Sequence, residues 1–199
     1  MTAPKLACAV ALSTAAFVLA GCTLETTPSA QRGDLVAGTG GAVSTMSPEE
    51  HEPLGSVDSS PKTTRPTAPA RLAVTDIEAK AHGDFDRVVI TLHGDGEPGW
   101  FTDYVSSPAV GSTGQPLKVK GSTFLNVFID GTVFPSDVGA DATAPERVGS
   151  TGESGAVAEV VNAGTSAGRT QIVVGMNSRS LYSVVTVQNP TRIIIDISR

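Results

Sequence analysis

The sequence predicts an all-β fold over residues 71–199, one antiparallel β-sandwich or barrel, and three observations carry that prediction. Short runs rich in β-branched residues alternate apolar and polar positions, as in Arg87–Leu92, where Val88, Ile90 and Leu92 share one face. Turn residues punctuate those runs: Gly94-Asp95-Gly96, Asp130-Gly131, Asn162-Ala163-Gly164 and Asn189-Pro190. No window carries a helical apolar stripe. Many short strands with turns between them bury a core by stacking or closing a sheet, and this stretch is long enough to do so.

Two other segments precede the domain. Lys5 is followed by an apolar run, Ala7–Ala20, and then by small residues, the pattern of a secretory signal peptide over residues 1–21. The run is shorter than the roughly 20 residues a membrane span needs. Leu19-Ala20-Gly21-Cys22 resembles the lipobox of bacterial lipoproteins. That resemblance implies cleavage before Cys22, acylation of Cys22 and attachment to the extracytoplasmic face of the cell membrane. A plain cleaved signal is the alternative, since Ala-Gly also suits a simple cut. One acyl chain holds marginally, whereas two or more hold stably. Cys8 leaves with the signal, so the expected mature chain has no thiol besides Cys22. Disulfides, thiolate metal sites and a cysteine nucleophile are thereby excluded. The net charge of −6, with no cluster of Lys and Arg along the chain, argues against nucleic acid or anionic headgroups as partners.

Residues 22–70 read as a disordered tether. Thr, Ser, Pro and Gly dominate, as in Gly38-Thr39-Gly40-Gly41 and Ser59-Ser60-Pro61-Lys62-Thr63-Thr64, and too few large apolar residues are present to offset the entropy of ordering. A coil of that length spans roughly 35–40 Å. Ser59-x-x-Lys62 imitates a penicillin-binding nucleophile motif, but no partner motif accompanies it.

Within the domain, strands are expected at Leu72–Ile77, Arg87–Leu92 and Phe124–Asp130, the last with Leu125, Val127 and Ile129 on one face. Further strands follow at Ala156–Val161, Thr170–Val174, Tyr182–Val187 and Thr191–Ile197. Phe85–Leu92 echoes Pro190–Ile197, each with an Arg before three β-branched residues, which suggests pseudo-symmetric halves. Thr191-Arg192-Ile193-Ile194-Ile195-Asp196-Ile197 resembles the terminal strand of AMIN domains. His82-Gly83-Asp84-Phe85-Asp86-Arg87-Val88-Val89, followed by Gly96-Glu97-Pro98-Gly99-Trp100-Phe101-x-Asp103-Tyr104, is similar to the AMIN-like domain of actinobacterial lipoproteins. The resemblance covers about residues 70–199. It implies a β-sandwich that binds peptidoglycan or localises a host protein, here with no amidase domain attached.

Motifs that would carry catalysis fail in context. Gly164-Thr165-Ser166-Ala167-Gly168 matches the hydrolase pattern G-x-S-x-G, but the nucleophile elbow needs a strand before it and a helix after it. Strands flank it on both sides here, so a hairpin loop explains it. His82 and His93 bracket one expected strand, which separates them by at least about 30 Å. His51 belongs to the tether. Asp84, Asp86, Asp95 and Glu97 lack the spacing of a calcium loop. No metal, no cofactor and no enzymatic activity are expected.

Recognition is expected to fall on aromatics near the Pro98-Gly99 turn, namely Trp100, Phe101 and Tyr104. A loop aromatic stacks on the apolar face of a sugar, whereas a lone Trp in a chain is more often core. Arg87 and Arg192 are candidates for pairing with carboxylates of a wall glycan, and cross-strand pairs with Asp86 or Asp196 are their structural alternative. The function expected is a noncatalytic envelope module that binds peptidoglycan or a related glycan. The alternative is a protein–protein adaptor that localises an envelope enzyme or complex.

Overall fold

Period-two alternation and turn residues divide the chain into ten strands in the computed structural model, which describes residues 52–199. The signal segment, Cys22, His51 and the tether stretch 23–51 lie outside the described residues. The strands are β1 (Lys62–Thr64), β2 (Thr67–His82), β3 (Phe85–Glu97), β4 (Gly99–Val105) and β5 (Thr123–Asp130). They continue with β6 (Arg147–Val148), β7 (Val157–Ser166), β8 (Arg169–Met176), β9 (Tyr182–Val187) and β10 (Arg192–Ser198). All pairings between these strands are antiparallel. One sheet runs β2-β3-β10-β9, the other β1-β4-β5-β8-β7-β6. Among the described residues the helical content is a single 3-10 turn at Pro135–Val138.

The expected faces hold. Val88, Ile90 and Leu92 of the first sheet and Leu125, Val127 and Ile129 of the second all enter one hydrophobic cluster. Each such side chain, removed from water, contributes about 1.5–3 kcal/mol. The echoing segments turn out to be neighbours: β3 and β10 pair at the centre of the first sheet, with Arg87 opposite Asp196 and Arg192 opposite Thr91.

Three expectations are corrected. The folded part starts before residue 71. Leu54 N donates to Asp196 Oδ2 at 2.6 Å, Asp58 bridges Tyr182, β1 pairs with β4, and β2 begins at Thr67. Polar composition made this stretch read as tether, yet it is ordered by backbone pairing along sheet edges, which needs no apolar side chains. His93-Gly94-Asp95-Gly96 is not a turn but the extended end of β3, with Gly94 opposite Leu72. A Cβ on Gly94 would lie 2.1 Å from the Arg71 carbonyl oxygen, so glycine here serves close backbone approach. Gly99-Trp100 is not on a loop but opens β4. The chain changes sheet at Pro98, between β3 and β4, where Gly99 leaves room for Pro66 of the β1–β2 crossing.

Asp86 and Arg87 stitch these pieces. Arg87 donates from Nε and Nη2 to Asp196 at 2.7 and 2.8 Å. Asp86 faces the other way. It accepts from Val157 N at 2.9 Å, from the Thr151 hydroxyl, and from Arg199 Nε and Nη2 at 2.8 and 2.6 Å. Both carboxylates are buried.

Arg87→Ala leaves Asp196 buried without its partner and is expected to cost about 3–5 kcal/mol, while Arg87→Met with Asp196→Leu recovers most of it. Urea unfolding followed by fluorescence of the single tryptophan reads this directly. A loss below about 1 kcal/mol for Arg87→Ala would show the pair to be ornamental.

Candidate functional site

Sequence-predicted site residues do not converge. Trp100 lies on the inner face of β4, 7% exposed, and its Nε1 donates to Thr186 Oγ1 on β9 at 3.1 Å. Its ring fills the core and its polar atom is satisfied across the sheets, so it has no face left for a ligand. Tyr104, on the same side of β4, packs against the core. Its hydroxyl donates to the Ser180 carbonyl, its ring meets Tyr182 edge-on at 5.6 Å, and the Arg179 guanidinium sits 4.1 Å above it. Arg87 is spent on Asp196. Arg192 pairs with neither Asp86 nor Asp196; its Nε is buried without a hydrogen-bond partner among the described residues.

Histidines and carboxylates are equally dispersed. His82 stacks on Phe85 at 5.5 Å, whereas His93 lies further along β3 opposite Ala73. Asp86 is held by Arg199, whereas Asp95 and Glu97 stand at the far end of β3, in register with Arg71 and Thr67 of β2. Among the described residues no three His, Cys, Asp or Glu side chains are placed to hold a metal.

A concave site forms instead on the outer face of the six-stranded sheet. Because Leu125, Val127 and Ile129 point inward, Phe124, Asn126, Phe128 and Asp130 of β5 must point outward. Phe101 of β4 stands directly opposite Phe128 and is 39% exposed. Phe128 and Gln171 floor a cleft of about 340 Å³, walled by Val110–Ser112 on one side and Ala163–Ala167 on the other. Asp130 and Arg169 form its charged rim, 2.6 Å apart, with the guanidinium 5.2 Å above the Phe128 ring.

Local chemistry holds both walls. Gln171 is buried, accepts from Gly111 N at 2.7 Å, and donates to Ala109 O and Asn126 Oδ1, each at 2.9 Å. This latches the β4–β5 loop across the sheet. The opposite wall is the β7–β8 hairpin, whose turn residues Ala167 and Gly168 have φ of 50° and 80°, the left-handed pair that a two-residue hairpin turn requires. The G-x-S-x-G segment is therefore a hairpin, as expected. Thr165, Thr170 and Thr132 brace it through a chain of hydroxyl bonds at 2.7 and 2.9 Å. Ser166 lines the cleft, but His82 and His93 do not.

The cleft thus offers an aromatic face beside a carboxylate and a guanidinium, the chemistry of a polyhydroxylated ring with polar substituents. Phe128, Asp130, Arg169 and Gln171 were not singled out in the sequence, although the outward phase of Phe124–Asp130 already carried two aromatics.

Residues 72–199 match the family model described as the AMIN-like domain. No curated protein and no solved structure matches the chain.

Burial holds the phenols of both Tyr104 and Tyr182 above the ordinary tyrosine value near 10. The neutral forms are favoured in the fold, so this stabilisation is complete below the unfolded value and is lost as pH rises through the folded one. These are the only tyrosines of the chain. Its whole tyrosinate absorbance is expected to titrate above 10 when folded and near 10 in guanidinium; coincident curves would refute the burial.

Proposed function

The chain belongs to the AMIN-like domain family, and from that premise we propose that it is a noncatalytic cell-envelope module that binds peptidoglycan or a related wall glycan. Its two antiparallel sheets around one core form the β-sandwich through which it acts. Cys22 carries the lipid that holds it to the extracytoplasmic face of the membrane, with residues 23–51 as the connection. The observation that carries the reading is the outward Phe128 ring beside the Asp130–Arg169 pair. An aromatic platform covers the apolar face of a pyranose, the carboxylate accepts from its hydroxyl or amide groups, and the guanidinium engages a muropeptide carboxylate.

Anchoring and binding divide the work. The lipid removes the chain from free diffusion, so a modest affinity at the cleft suffices because the wall is always within reach. The role of the small residues at 163–168 is to let a sugar approach the floor without steric exclusion.

Co-sedimentation of the chain from Thr23 onward with purified sacculi tests the reading. Saturable pelleting is expected, with at least about tenfold weaker binding for Phe128→Ala combined with Arg169→Ala, at unchanged melting behaviour. Absence of pelleting at any salt concentration, or full binding by the double variant, would overturn it. Anchoring is checked separately: Cys22→Ala is expected to accumulate uncleaved precursor free of labelled palmitate, and unchanged lipid labelling would refute the anchor.

A further inference from the structure

On the other side of the β4–β5 loop from the cleft lies a second concavity. Pro108, Leu117, Val119 and Phe124 give it an apolar lining over about 500 Å³. Lys118, Lys120 and Arg147 stand around it, together with Glu159. Arg147 is distant in the chain from Lys118 and Lys120 and meets them because the loop folds back over β8, where Lys120 O would lie 1.9 Å from a Cβ on Gly175.

The charges are unequally engaged. Glu159 is buried and accepts from Arg147 Nη1 and from Lys120 N, both at 3.0 Å. Its charge is answered by Arg147. Lys120 Nζ is 3.9 Å from it with its side chain 79% exposed, and Lys118 forms no ion pair among the described residues. Arg147 also lies 4.0 Å from Glu146, so two carboxylates face three cations and an excess of positive charge remains, carried by Lys118 and the exposed end of Lys120.

Backbone supplies the second observation. The segment from Leu117 to Lys120 belongs to no strand. Leu117 N bonds Pro108 O, and Lys120 N bonds Glu159. The N–H groups of Lys118 and Val119 take part in no hydrogen bond among the described residues. Lys118 O is taken by Arg147 Nη2 at 3.1 Å, so the segment offers donors rather than acceptors, which favours a partner that brings its own carbonyl groups, a peptide rather than an acyl chain.

We propose that this groove docks an extended segment of another envelope protein in which acidic and apolar residues alternate. Lys118 and Lys120 lie two residues apart, so they meet acidic side chains at the same period along an extended partner. The intervening apolar side chains enter between Phe124, Leu117 and Val119. The site is independent of the glycan cleft, and Gln171 separates the two by pinning the loop.

Fluorescence anisotropy with three labelled dodecapeptides tests the proposal: alternating Asp-Val, alternating Lys-Val and alternating Asp-Ser. The chain from Thr23 onward, which contains every described residue, is titrated into each, with sodium oleate as a fourth probe. The Asp-Val peptide is expected to bind at least about tenfold more tightly than the other two, and to lose at least about tenfold on Lys118→Glu with Lys120→Glu. Val119→Pro, which removes one free N–H, is expected to weaken the same peptide while melting is unchanged. Equal binding of Asp-Ser would reduce the site to surface charge and overturn the proposal. So would undiminished binding by the charge-reversed variant, or binding of oleate with none of Asp-Val.

Discussion

Two consecutive residues of β3 hold the molecule together by pointing in opposite directions. Strand alternation sends Asp86 to the inner face and Arg87 to the outer face. The inward carboxylate gathers Val157 at the start of β7, Thr151 of the preceding loop and Arg199 at the chain end. The outward guanidinium fixes Asp196 of β10, whose carboxylate also receives Leu54 N. One dipeptide thereby joins the two sheets, closes the central strand pair and seats the segment before β1. A buried carboxylate is costly unless its oxygens are answered, and each of these is answered by several donors.

From that framework follows the position of the candidate sites. The core-facing side of the six-stranded sheet is closed by packing with the first sheet, through Trp100–Thr186 and Thr102–Tyr182 hydrogen bonds. Its outer face is free to be shaped by the β4–β5 loop. Gln171, buried and fully bonded, decides where that loop crosses, so a cleft with an aromatic floor opens on one side and a basic apolar groove on the other.

Much of the fold was legible in the sequence because a strand's two faces are a local property. The phases of Val88–Leu92 and Leu125–Ile129 were readable from spacing alone, and the hairpin at Gly164–Gly168 from its flanking strands. The candidate site was less legible. Trp100 and Tyr104 were singled out as aromatics near a Pro-Gly turn, but Pro98 is a corner between sheets and both rings fall on the inner phase of β4. Phe128 was on the outward phase of a strand already recognised, yet nothing local distinguishes a solvent-facing aromatic that lines a cleft from one that is merely exposed. The ordered stretch from Leu54 to Pro66 was hidden for a different reason. Its stability comes from edge pairing and from a buried carboxylate 142 residues away in sequence, neither of which leaves a trace in composition.

The sequence by itself determined the all-β class, the inward faces of the principal strands and the resemblance to the AMIN-like domain, since each depends on neighbours within a few residues. Only the tertiary structure decided that β3 lies beside β10, that the chain orders from Leu54, and which side chains meet at the cleft and the groove. Those outcomes depend on register between distant strands and on buried polar groups finding partners. Such choices are global: one residue's slip in pairing would carry every side chain of a strand to the opposite face.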